Sequence, residues 1–204
     1  MKLYFSPGAC SLSPHIVLRE LGVPFELVKV NLGEHKTENG DDYKAINPKG
    51  YVPALKTDDG KLLTEGVAIN QYLADRKPET ELAPANGTFA RYELQEWLNF
   101  ISTEIHKTYS PMFNSALPEE THNFFLDKLK KRFGEIDAVL AKHDFLTGSK
   151  FTIADAYLYT VLRWAPKFKI DLKQWPSLAK FYDRVDARPA VKAAVEAEAQ
   201  AKAA

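Results

Sequence analysis

The sequence predicts an α/β amino-terminal domain followed by an all-α helical carboxy-terminal domain. Three observations point there. Residues 1–77 read as strand, helix, strand, hairpin and helix in that order; residues 78–88 gather proline, glycine and polar types; and beyond them every long segment carries its apolar residues at helical spacing. A chain of 204 residues can bury the cores of one large or two small domains.

Leu3-Tyr4-Phe5 is a short apolar run of strand-forming types, and Ser6-Pro7-Gly8 breaks it. Ser13-Pro14 opens a helical pattern that ends near Leu21-Gly22; proline suits the first helical position and the serine before it can cap. Phe25 to Val30 alternates like a strand, and the polar passage from Asn31 to Asn47 reads as a loop with room for one short helical turn. Ala54-Leu55-Lys56-Thr57 and Lys61-Leu62-Leu63-Thr64 flank Asp58-Asp59-Gly60, a hairpin signal, and a helix starts near Gly66 with Ile69 and Leu73 one turn apart. Strand-helix-strand followed by hairpin and helix is the order of a thioredoxin-like domain, assigned to residues 1–77, with 78–88 as linker.

The helical domain is assigned to residues 89–204. Leu94, Leu98, Ile101 and Ile105 step by 4, 3 and 4, and Leu126, Leu129, Phe133, Ile136 and Leu140 step by 3, 4, 3 and 4. Thr152-x-x-Asp155 ahead of an apolar run is a capping-box signature with Asp in place of Glu, after which Ile153, Tyr157, Val161 and Trp164 share a face. The last fifteen residues are mostly alanine with scattered Glu and Lys; they form helix well, have little to bury, and are expected to fray.

Composition narrows the function. With 45% hydrophobic and 26% charged residues the chain reads as an ordinary soluble globular protein. Lysine plus arginine equals aspartate plus glutamate at 27 each, so no net field draws it to nucleic acid or an anionic membrane. One cysteine makes no internal disulfide, and no Cys/His cluster offers a metal site. The absence of a signal segment or a long apolar run gives a cytoplasmic expectation.

Four places could carry chemistry. Cys10 lies just before the first helix, where unpaired N–H groups and the helix dipole favour an anion, either its own thiolate or that of a ligand; it could equally be a small buried apolar residue. Val52-Pro53 precedes the first hairpin strand, as a cis bond or an ordinary turn proline. Glu65-Gly66 stands where hairpin gives way to helix: the carboxylate could grip a ligand ammonium while the first-turn amides accept a carboxylate, or Glu65 merely complements the dipole. Asn99, Thr103 and His106 step by 4 and 3 into a polar stripe that could line a site or face water. His106 and Lys107 are cations that would favour a nearby thiolate, and histidine titrates in the range for proton transfer. Ser11 and Ser13 offer hydroxyls to a sulfur anion or cap the helix.

In combination these stretches resemble the glutathione S-transferases, and within them the bacterial beta class. The resemblance is carried by Ser6-Pro7-Gly8-Ala9-Cys10-Ser11-Leu12, Asn47-Pro48-Lys49-Gly50-Tyr51-Val52-Pro53-Ala54-Leu55, Leu63-Thr64-Glu65-Gly66-Val67-Ala68-Ile69, Trp97 to Lys107 and Phe151 to Tyr157. It implies glutathione as co-substrate, with no resident cofactor or metal. It further implies a cis Pro53 whose preceding residue, Val52, pairs with the extended peptide, and the γ-glutamyl head at Glu65 and Gly66. Asn99, Thr103 and Glu104 would reach the site from the partner of a homodimer, with His106 and Lys107 lining it and Cys10, His106 and Ser11 as the catalytic set. Many beta-class members carry lysine where this chain has His35, so either His35 or Lys36 would meet the glycyl carboxylate.

Three functions follow. The first is conjugation of the glutathione thiolate to a small apolar electrophile, a detoxification chemistry. The second is thiol–disulfide exchange through Cys10, because Cys10-x-x-Ser13 resembles a monothiol glutaredoxin site. The third is non-catalytic binding of apolar ligands by the same fold.

Overall fold

The structure, a computed structural model, describes residues 1–203. Contacts divide them into two compact units: Met1–Glu81 together with the segment from Ala187 on, and Leu82–Asp186.

The first unit is built on a sheet of β1 (Lys2–Phe5), β2 (Glu26–Asn31), β3 (Lys36–Thr37), β4 (Ala54–Lys56) and β5 (Leu62–Thr64), in the order β3-β2-β1-β4-β5. β1 and β2 run parallel, joined by α1 (Leu12–Leu21), and the remaining neighbours are antiparallel. Alternation along the strands divides the apolar residues between two faces. Tyr4, Val28 and Val30 form one buried cluster with Tyr43, Val52 and Ala54. Leu3 and Phe5 are buried too, as are Ile16 and Leu18 of α1 and Ile69 and Leu73 of α3 (Gly66–Asp75).

This is the expected thioredoxin-like arrangement, with three local differences. The polar passage holds a two-residue strand, β3, besides its helical turn α2 (Tyr43–Ile46), which Asp42 caps by accepting the Lys44 N–H at 2.9 Å. α1 begins at Leu12 and not at Pro14, because the chain turns into it earlier: Leu12 N–H donates to Ala9 and Ser13 N–H to Cys10. Pro14 then falls within the first turn, where a missing N–H still costs nothing.

The third difference is the tail. α9 (Pro189–Ala203) is a continuous helix that buries Val191, Ala194 and Glu198. Arg188 forms a two-pronged pair with Glu20 of α1, at 2.7 and 3.0 Å, and Lys29 donates to the Ala201 carbonyl at 2.7 Å. The sequence boundary placed this segment in the helical domain as a fraying end; these contacts instead bind it to the first unit. Ala204, the last of the fifteen residues, lies outside the described residues.

The second unit is helical: α4 (Phe89–Phe100), α5 (Lys107–Met112), α6 (Glu119–Leu140), α7 (Ile153–Leu162) and α8 (Pro176–Asp186). Between α4 and α5 the residues Ile101–His106 form a wide π turn, where a regular α-helix was expected throughout. The capping box at α7 is present, with Thr152 and Asp155 each serving the other's backbone, and all ten residues of α7 are buried. Among the described residues no helix is long and apolar enough to cross a membrane.

Candidate functional site

In the first unit Cys10 and Val52 meet beyond the carboxyl end of β1. Ser6 accepts the Ala9 N–H at 3.0 Å, closing a turn with Pro7 second and Gly8 third at a φ of 78°. A positive φ at that position marks a type II turn and suits glycine. Cys10 follows, half-buried, and its thiol donates to the Val52 carbonyl at 3.4 Å.

Val52-Pro53 is a cis peptide, and the Pro53 ring lies against the start of α3: a Cβ on Gly66 would stand 3.7 Å from its Cγ. The loop before Val52 is fixed from below. The Tyr51 carbonyl accepts the Tyr43 hydroxyl at 2.7 Å and the Asn47 amide at 2.8 Å. Burial pushes the Tyr43 hydroxyl up from its ordinary value, so it remains a donor at neutral pH. Neither residue was singled out from the sequence, although Asn47 opens one of the motifs and its side chain is suited to such a turn.

Glu65 precedes α3 with a φ of 70°, a left-handed conformation that a side chain adopts at some cost. Its carboxylate projects outward and pairs with Lys49 at 3.0 Å; Lys49 also reaches the Thr64 hydroxyl at 3.3 Å. Lys49 is thus a further charged group at this place, legible only as part of the Asn47-Pro48-Lys49-Gly50 run. The His35 ring lies over Gly50, whose Cβ, if present, would be 3.1 Å from Cε1. Lys36 belongs to β3, opposite Asn31.

Ser11 is a correction. It is fully buried, and its hydroxyl accepts the Ser6 N–H at 3.1 Å while donating to the Ser6 carbonyl at 3.3 Å. That hydroxyl ties strand to helix and is not presented to a ligand. Ser13 is likewise buried, accepting the Asn70 amide at 2.7 Å.

In the second unit His106, half-buried, lies 2.6 Å through Nδ1 from the Tyr157 hydroxyl, its ring 5.1 Å from that of Trp164. Phe113 packs edge-on against Trp164 at 5.4 Å and Lys167 lies over the Phe113 ring at 4.7 Å. Of this group the sequence marks His106 as part of a polar stripe and Tyr157 and Trp164 only as sharing one helical face. Asn99 and Thr103 are exposed, as is Lys107. Glu104 is held within its own unit by Arg132 at 2.7 Å and Lys128 at 3.5 Å, and the Arg132 hydrogen bond keeps its carboxyl below the usual range. Among the described residues no group of three or more His, Cys, Asp or Glu side chains is gathered as a metal site.

Residues 8–76 match the family model of the glutathione S-transferase N-terminal domain, and residues 100–189 match that of the C-terminal domain. The chain belongs to the glutathione S-transferase family. It is 50% identical over 198 residues to glutathione S-transferase GstA of Escherichia coli O157:H7, an alignment covering 97% of this chain and 98% of that one. It is similar in structure to BphK, a bacterial glutathione S-transferase solved as a ternary complex, with a TM-score of 0.96 and 54% identity over 98% of this chain and all of the other. The bacterial beta-class glutathione S-transferase of Sphingomonas chungbukensis matches with a TM-score of 0.94 and 44% identity, over 97% and 98% of the two chains. The chain is therefore a glutathione transferase of the beta-class type, an enzyme with a thioredoxin-like first domain.

Proposed function

We propose that this transferase binds glutathione along the carboxyl end of β1 and passes its thiolate to a small apolar electrophile, acting in detoxification as a cytoplasmic homodimer. The observation that carries the reading is the 3.4 Å approach of Cys10 Sγ to the carbonyl of Val52, next to the cis Pro53. A ligand whose backbone pairs with Val52 would bring a thiol to the turn that also holds Cys10 and the amides of α1, where a helix start favours a sulfur anion. Glu65, with Gly66 behind it and Lys49 beside it, suits an α-amino acid head, whose ammonium and carboxylate need partners of both signs. His35, over Gly50, is the group offered to the glycyl carboxylate in preference to Lys36.

In conjugation the glutathione thiolate forms a C–S bond as the carbon–halogen bond breaks, and halide leaves with the electron pair. Positioning and a raised thiolate fraction are what the protein supplies. In the second unit the group of His106, Tyr157, Trp164 and Phe113 suits an apolar ligand, and His106 and the Tyr157 hydroxyl there can each move a proton. Asn99, Thr103 and Glu104 are assigned to the partner's glutathione, with Glu104 acting from its pair with Arg132, and Lys107 is assigned with His106 to the lining of the site.

The second reading, exchange through Cys10, draws support from the half-buried thiol at the head of α1. Here the Cys10 thiolate attacks a glutathione mixed disulfide and the other sulfur leaves as a thiolate. Assaying Cys10→Ala with a nitroaryl chloride and with a mixed-disulfide substrate separates the two. Conjugation by the variant is expected to persist while exchange disappears. A parent protein without glutathione-dependent turnover of any aryl or alkyl halide would end the first reading; exchange undiminished in Cys10→Ala would end the second.

A further inference from the structure

A buried chain of polar contacts runs from α1 to α9 and finishes on the turn before Cys10. Glu198 of α9 is 4% exposed. Its Oε2 accepts the Gly8 N–H at 3.1 Å, and its Oε1 lies 3.3 Å from Nδ1 of His15, which is wholly buried in α1. Arg19 Nε–H donates to His15 Nε2 at 2.9 Å. Since Arg19 can only donate, Nε2 carries the lone pair and Nδ1 the proton, which His15 donates to Glu198. Each carboxylate oxygen thus has a donor, the condition on which a charge stays buried.

Both donors belong to the segment around Cys10. Gly8 N–H is part of the central peptide of the Ser6–Ala9 turn, and the type I and type II forms of such a turn differ by roughly a half-rotation of that peptide. An acceptor on this N–H therefore selects one form.

We propose that Glu198 is a positioning residue for the thiolate site: it holds the Pro7-Gly8 peptide in the type II orientation and so sets the direction of Cys10 and of the first amides of α1. The proposal rests on the reading that this turn receives glutathione. A purely structural role, keeping α9 docked, is one that Glu198 would share with Arg188, through its pair with Glu20. A purely electrostatic role has the opposite sign, because a nearby carboxylate hinders ionisation of a thiol.

Three variants of the full chain separate these roles. Glu198→Asp keeps the charge but is one methylene short of Gly8. Glu198→Gln keeps the acceptor for Gly8 without the charge, at a cost in stability since its NH₂ faces the His15 proton. Arg188→Ala loosens α9 alone. The readouts are the pH profile of Cys10 alkylation by iodoacetamide, followed by intact mass, together with kcat and KM for glutathione.

Positioning predicts that Glu198→Asp slows alkylation at neutral pH about tenfold, moves its midpoint upward and lowers kcat more than it raises KM. Glu198→Gln recovers to within about threefold of the parent, and Arg188→Ala loses melting temperature but keeps the parent profile. A parent-like profile in Glu198→Asp overturns the proposal, as does a downward shift of the midpoint in Glu198→Gln. If the parent shows no glutathione-dependent turnover, it is the functional reading that falls, and the alkylation profiles still decide the role of Glu198.

Discussion

At Asp155 burial and hydrogen bonding act in opposite senses. The fully buried carboxyl accepts the Leu146 N–H at 2.9 Å, the Thr152 N–H at 2.7 Å and the Thr152 hydroxyl at 2.8 Å, all of which favour the ionised form. Burial outweighs them and pushes the group from 3.8 up to about 6. A carboxyl raised in the folded state binds a proton there more readily than in the unfolded chain. Its contribution is therefore whole below about pH 4 and is lost as pH rises through about 6. Urea unfolding of the parent and of Asp155→Asn, from pH 4 to 7, should show the stability difference between them falling with pH by on the order of 3 kcal/mol. A difference that is flat or rises would show that the hydrogen bonds win. The capping box itself was legible because both its partners lie three residues apart. Ser11 was misread for a related reason: sequence locates a hydroxyl but not whether it turns inward to Ser6 or outward to a ligand. Glu198 was not legible at all, since His15 lies 183 residues away in the chain.

α9 shows the same limit for an element. Val191, Ala194 and Glu198 step by 3 and 4 and are all buried, so the helix does have an inner face. An alanine and a glutamate do not register as apolar, and the stripe vanishes into an alanine-rich tail. The wide turn over Ile101–His106 escapes differently. From Leu98 through Ile101, Ile105 and Tyr109 to Met112 the buried positions step by 3, 4, 4 and 3, a spacing an ordinary α-helix also satisfies. The sheet and hairpin were readable because their signals are local: Asp58-Asp59-Gly60 sits between β4 and β5 where the motif put it. If α9 is part of the first unit and not a fraying end, removing residues 188–204 uncovers α1. Hydrogen exchange of the α1 amides should then accelerate by at least about tenfold, equal to roughly 1.4 kcal/mol of lost protection, while α6 in the second unit keeps its rates. Unchanged exchange in α1 would mean that α9 contributes no stability there.

The proposed homodimer has a candidate interface in an exposed stripe along α4 and the turn after it. Phe89, Tyr92, Glu96, Asn99 and Thr103 step by 3, 4, 3 and 4, and every one is exposed, Phe89 at 78% and Tyr92 at 58%. Two large aromatics a turn apart in water are out of place on a chain with no net charge to keep copies separate, and a second copy of the same face would cover them. The same stripe carries Asn99 and Thr103, the polar residues assigned to the partner's glutathione. One helix would then supply both the adhesive and the shared ligand contacts, so assembly and activity should be lost together. Sedimentation of the parent is expected to give twice the mass of one chain. Phe89→Ser combined with Tyr92→Ser should shift it toward a single chain. In that variant turnover per chain should rise with protein concentration as dimers re-form, whereas the parent holds constant. A monomeric variant with full turnover at every concentration would show that each chain completes its own site, and would return Asn99 and Thr103 to the role of solvent-facing residues.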